Sequence, residues 1–280
     1  MSSAFHRLLL ASLFAFANVM SASAKEKGLG DIEVNAQAYV QSAYHSRGKI
    51  PEDRPIEANL VTAMMNLDFV GELGLWHWQY HSLTPRCREK ADRLFRESDW
   101  AIYYRNQYGI AKGWSLKSEY QQRWFTFPFL HSEYRGDCHR VDTEIWGKLT
   151  LDNPYIVPSG AIRRGLHRKD YTYFKVGLHK SFEVLEDLSF TPGVYMELGD
   201  QKTFVQRYGK REGGGNYRTG PQALNIVLRF DYRLTDWLKL YASVTQFDLV
   251  SSQARRNTAG FGPVAKRDFT YFVLGVSVTY

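Results

Sequence analysis

Beyond its first twenty-four positions, this 280-residue chain has no long apolar run. No later window approaches the ~18 to 20 consecutive apolar residues of a membrane-spanning helix, which excludes a helical membrane protein. Helical periodicity is nearly absent as well. Cysteine is scarce, with Cys87 and Cys138 the only two. In an oxidising compartment such an even pair reads as one disulfide before it reads as a metal or catalytic site, two free thiols being the alternative.

The exception at the start is informative. Met1 to Arg7 carries one Arg and one His, Leu8 to Met20 is apolar, and Ala22-Ser23-Ala24 supplies the small residues of a cleavage site. This is the pattern of a secretory signal peptide over 1–24, with a run too short to span a bilayer and Lys25-Glu26-Lys27 directly after it. The remainder, 25–280, is expected to be exported as a single domain. The net charge of +7 and pI near 9.2 would suit nucleic acid, but export argues against that partner.

What the sequence has in quantity is aromatic residues, 15% of the chain, with 18 Tyr, 17 Phe and 7 Trp. Amphipathic rings concentrate where lipid meets water. Period-two alternation recurs in segments of about ten residues, the length of a membrane strand. Ile32, Val34, Ala36, Ala38 and Val40 alternate with polar neighbours, and Leu224, Ile226, Leu228 and Phe230 do the same. Roughly twelve such segments run over 31–45, 58–68, 72–82, 99–110, 114–130, 140–151, 154–163, 170–184, 188–199, 221–233, 238–248 and 267–280. Tight Gly, Asn and Asp turns alternate with longer loops at 46–57, 83–98, 131–139, 164–169, 200–220 and 249–266. The expectation is all-β: a closed antiparallel transmembrane barrel of about 12 strands, with short periplasmic turns and longer external loops. A periplasmic β-sandwich shares the alternation but explains neither the loop asymmetry nor the aromatics.

The segment Tyr271 to Tyr280, "YFVLGVSVTY", reads as the closing strand. Phe272, Leu274, Val276, Val278 and Tyr280 would face lipid, and the strand must pair with the first, because an open edge in hydrocarbon leaves backbone groups unsatisfied. Its terminal aromatic resembles the signal read by the outer-membrane assembly machinery, although Val273 stands where a polar residue is usual.

Ser42, Tyr44, Arg47-Gly48, Pro55, Gly71, Gly74, Trp76 and Trp78 together resemble the opening of a family of bacterial outer-membrane, porin-like barrel proteins. Its members begin with a Ser-x-Tyr-x-x-Arg-Gly strand, then a Pro-bearing loop, a Gly-rich turn and a Trp-ending strand. The resemblance covers the first quarter of the chain strongly and the rest only by hairpin layout. It implies an exported barrel in the outer membrane of a Gram-negative bacterium.

With the polar face turned inward, Arg105, Lys117, Arg123, Lys148, Lys175, His179, Arg229, Arg233 and Lys239 point to the lumen, among Glu33, Glu119, Asp142, Glu144, Glu197 and Asp231. Opposed rows of base and acid can form a field that orients polar solutes, or can neutralise one another in a filled interior. The loops are basic: Arg163, Arg164, Arg168 and Lys169 in one, Lys202, Arg207, Lys210, Arg211 and Arg218 in another, Arg255, Arg256, Lys266 and Arg267 in a third. Such a mouth would steer acidic solutes or contact lipopolysaccharide phosphates. A Cys87–Cys138 bridge would tie two external loops together.

His179 and Ser181 share a strand face, as in a barrel phospholipase, but point inward with no Asn to orient the His, so no catalytic residue is assigned. His45, His77 and His81 have no carboxylate at ligand spacing, and neither metal nor cofactor is expected. The functional expectation is a passive pore for small polar or anionic solutes. The alternative is a non-conducting structural or adhesion barrel that binds lipopolysaccharide or a partner through its basic loops.

Overall fold

The computed structural model describes residues 32–46, 49–52, 54–67, 70–83, 97–126, 141–166, 170–208, 216–257 and 268–280. Cys87 and Cys138, expected to form one disulfide, and the expected leader at 1–24 lie outside these residues. Among the described residues no helix is long and apolar enough to cross a membrane.

Twelve strands make a closed antiparallel barrel. In chain order they are β1 (Ile32–Gln41), β4 (Ile56–Asn66), β5 (Glu72–Ser82), β6 (Glu97–Ala111), β7 (Trp114–Thr126), β8 (Val141–Asp152), β9 (Val157–Gly165), β10 (Thr172–His179), β12 (Leu188–Gly199), β13 (Gly220–Arg233), β14 (Leu238–Asp248) and β15 (Asp268–Thr279). Each pairs with its chain neighbour in the barrel. The circle closes where β1 meets β15, from Asn35↔Thr279 to Gln41↔Val273. Closure matters because lipid offers no hydrogen bonds to an open edge.

The structure departs from the twelve sequence segments in two places. The first breaks at Ser42–Ala43, beyond which β2 (Tyr44–Ser46) and β3 (Lys49–Glu52) form a hairpin of their own. The eighth breaks at Lys180–Ser181, and β11 (Phe182–Leu185) continues beyond β10 in the same register on β12. The break falls where β9, which starts at Val157, no longer offers a second partner.

Local chemistry explains the turns. Gly113, with φ of 75°, allows the two-residue β6–β7 turn, as a primed turn requires. Asn153 holds the β8–β9 turn by accepting from the Tyr155 and Ile156 amides at 2.9 and 3.1 Å. At the long-loop end, α1 (Gln201–Tyr208) and α2 (Ser252–Asn257) contribute Phe204 and Ala254 to a small apolar core with Tyr217, Phe247 and Leu249. Asp200 caps α1, accepting from the Thr203 amide at 2.7 Å.

The two faces of the wall separate by parity. Phe272, Leu274, Ile226, Leu228 and Phe230 are exposed on the outside, as a lipid-facing band requires. Tyr103, Tyr241, Glu144, Glu197 and Asn225 are buried within.

Candidate solute pathway

The inward residues enclose a cavity of about 630 Å³. Its wall is divided. All charged lining residues come from β6, β7, β9, β10, β12 and β13: Asp99, Arg105, Arg123, Arg163, Lys175, Glu197 and Arg229. The stretch formed by β14, β15, β1, β4 and β5 contributes uncharged groups, including Gln37, Thr62, Trp76, Trp78, Tyr241 and Ser243.

Register explains how charges scattered through the sequence meet. One cross-strand row reads Glu72↔Arg105↔Glu119↔Lys148↔Ala161↔Lys175↔Glu197, spanning β5 to β12. Within it the Arg105 Nε donates to Glu119 Oε2 at 2.9 Å. A second row, Trp76↔Ala101↔Arg123↔Glu144, lies four residues away towards the long loops. Facing residues of opposite charge support each other across a sheet.

Of the expected lining residues, Arg105, Arg123, Lys175 and Arg229 reach the cavity. Glu119 and Glu144 stand beside them. Glu144, 1% exposed, accepts from the Tyr171 hydroxyl and lies 3.9 Å from Arg163, while Asp231 grips Arg229 through two hydrogen bonds of 2.8 and 2.6 Å. Lys148 occupies the charged row without lining the cavity.

Lys117, Arg233 and Lys239 share the strand parity of the lining residues but lie outside the cavity wall. They sit at the short-turn end, where Lys117 pairs with Asp152 at 2.7 Å, Arg233 with Asp187 at 2.9 Å, and Lys239 stands opposite Arg233. Parity alone gives direction but not depth.

Arg163 is the opposite case. The loop reading places it at the mouth, whereas β9 runs on to Gly165 and carries Arg163 into the lumen; the alternation of Ile162 with Ala161 and Arg163 is the signal for it. The remaining loop charge is also partly met by acids. Arg164 and Lys202 both pair with Asp170, and Arg255 pairs with Asp248 at 2.6 Å. Hydrogen bonding from Lys202 holds the Asp170 carboxyl below its usual range. Arg168, Lys169, Lys210, Arg211, Lys266 and Arg267 lie outside the described residues.

Each of the five cations on the cavity wall lies over an aromatic face. The distances to the ring centre are 4.4 Å for Arg105 on Tyr103, 5.7 Å for Arg163 on Tyr173, 4.5 Å for Lys175 on Tyr195 and 4.8 Å for Arg229 on Tyr241. Arg123 lies between Trp76 at 5.3 Å and Trp146 at 4.8 Å. Such contacts contribute about 0.5–2 kcal/mol each, according to solvent exposure. Glu197 accepts from Asn225 at 3.0 Å through Oε1, while its Oε2 has no hydrogen-bond partner among the described residues.

His179 and Ser181 form no hydrogen bond with each other; the Ser181 hydroxyl accepts from Thr191 at 3.0 Å. His81 does meet a carboxylate, Glu57, at 3.3 Å. Spacing along the chain hid this contact because it runs across the β4–β5 pair. Among the described residues no group of three or more His, Cys, Asp or Glu is placed to hold a metal ion.

The sequence matches no protein-family model and no curated protein. Among solved structures it is similar to an outer-membrane channel from Pseudomonas putida F1, at 9% identity and a TM-score of 0.53, covering 90% of this chain and 96% of that one. It is also similar to the NanC porin, at 8% identity and a TM-score of 0.50, covering 88% and 98%. The fold is that of an outer-membrane β-barrel. Outer membrane phospholipase A from Escherichia coli aligns at 14% identity with a TM-score of 0.45, covering 88% of this chain and 92% of its own.

Proposed function

We propose that this protein is a passive pore of a Gram-negative outer membrane, admitting small polar or anionic solutes. The observation that carries the reading is the lining of the cavity: five cations face it against two carboxylates, Asp99 and Glu197. A wall of this kind attracts anions and leaves a polar path for solutes. In this reading a leader ending at Ala24 directs export. The last strand is the signal for the assembly machinery, and the outer wall and basic loops meet lipid and lipopolysaccharide.

The test is conductance in planar bilayers under a salt gradient. The expected result is a stable, anion-preferring current, with Arg123→Gln and Lys175→Gln each shifting the reversal potential towards zero. A correctly folded protein that gives no current would overturn the reading and favour the non-conducting alternative. Lipid turnover abolished by His179→Ala or Ser181→Ala would replace it with an enzyme. The orientation of His179 in the wall, opposite Gly193, and the engagement of Ser181 with Thr191 argue for the pore.

A further inference from the structure

Three of the luminal cations share one construction. On β5, Gly74 faces Tyr103; on β10, Gly177 faces Tyr195; on β15, Gly275 faces Tyr241. At each, a β-carbon added to the glycine would fall within 2.5 Å of the tyrosine ring, at 2.3, 2.2 and 2.5 Å respectively. The ring therefore packs against the bare backbone, in a space that only glycine leaves open. Its free face then carries the cation: Arg105, Lys175 and Arg229 in turn. The order is the same three times, glycine against the wall, tyrosine over it and cation on top.

We propose that these stacks set the bore of the pore and hold its anion-attracting charges at the wall, making Tyr103, Tyr195 and Tyr241 positioning residues for conduction. The inference rests on the pore reading and deepens it. Arg and Lys are long and rich in rotamers, and a cation freed from its platform samples the open lumen, where it narrows the path and retains passing anions. Flat against the wall, the same cation supplies field without obstruction. The glycines belong to the device because any side chain there would lift the ring, and the cation with it, towards the axis.

The test compares two triple variants in planar bilayers. In the first, Tyr103, Tyr195 and Tyr241 all become Phe, which keeps the aromatic face. In the second all three become Leu, which covers the glycines but offers no π surface to a cation. The Phe variant is expected to match the wild type in conductance and noise. The Leu variant is expected to lose about half its single-channel conductance or more and to gain open-channel noise, since mobile cations then share a lumen only one cavity wide. Adding Arg229→Gln to Tyr241→Leu should restore part of the lost conductance while lowering anion preference.

A merely structural role for the tyrosines predicts lower stability in both triple variants but unchanged single-channel current. Folding is checked by the heat-dependent gel shift of the barrel, and if the triple Leu variant does not fold, Tyr241→Leu alone is measured. Wild-type current left unaltered by Leu would overturn the stacks alone. A silent wild type would overturn the pore itself.

Discussion

Val34 and Tyr280 exchange both backbone hydrogen bonds across the seam of the barrel, Val34 N to Tyr280 O at 2.9 Å and Tyr280 N to Val34 O at 2.8 Å. They continue a ladder that keeps β15 paired on both sides, with Val276 meeting Ala38 and Leu240. Val276→Pro removes one ladder donor and sets a ring against the adjacent strand, at a cost of about 3 kcal/mol or more. The variant is expected to fail to insert into lipid vesicles, as read by loss of the heat-dependent gel shift. Insertion with wild-type yield would contradict a seam at this strand.

Most of this architecture was legible in the sequence because a two-faced membrane strand writes its parity directly into the residues. The segments 72–82 and 238–248 coincide with β5 and β14. The breaks at Ser42–Ala43 and Lys180–Ser181 were not legible, since they follow from which neighbours run alongside and where those end. Depth was hidden for the same reason. Lys117 and Arg123 share a face of β7, yet only Arg123 reaches the cavity. The aromatic platforms are contacts of register, such as Gly275 facing Tyr241 from 34 positions away, and no spacing along the chain announces them.

Gly74 and Gly160 make a matched pair for testing how much room the wall leaves. A β-carbon on Gly74 would stand 2.3 Å from the Tyr103 ring, whereas one on Gly160 would meet nothing within 4 Å. Gly74→Ala is expected to destabilise by about 1–3 kcal/mol through overpacking. Gly160→Ala should be neutral or stabilising by up to about 1 kcal/mol, through the lost freedom of the unfolded chain. Urea midpoints in lipid vesicles measure both, and equal effects would refute the tight Gly74–Tyr103 contact.

Parity can be tested by placing charge on each face of adjacent strands. Leu274, 66% exposed on the outer wall, should not tolerate Arg, at a cost of about 2–4 kcal/mol where it meets the bilayer midplane. Ser243 lines the cavity, so Ser243→Lys should fold normally and strengthen anion preference. The reverse ranking in vesicle unfolding would turn the wall inside out.

Asp170 joins β9 to β10 outside the strands and accepts from Arg164 Nη2 at 2.9 Å and from Lys202 Nζ. The Lys202 hydrogen bond is the main reason that its carboxyl titrates below the ordinary value, with the charges of Lys202 and Arg164 adding to it. The sign follows from the depressed value. The ionised form is the one held in the folded loop, so the contribution to stability is present above the unfolded carboxylate range and is lost as pH falls through the lower, folded value. Lowering the pH to about 4, the ordinary Asp range, should therefore leave the contact largely intact, with release only below that. Lys202→Met is expected to return Asp170 towards its ordinary titration, and high salt should do the same in part because the pair is exposed. Carboxyl-carbon NMR of the protein in detergent micelles reads the titration directly. An Asp170 that titrates identically in the wild type and Lys202→Met would show that α1 and the β9–β10 loop are not joined through this pair.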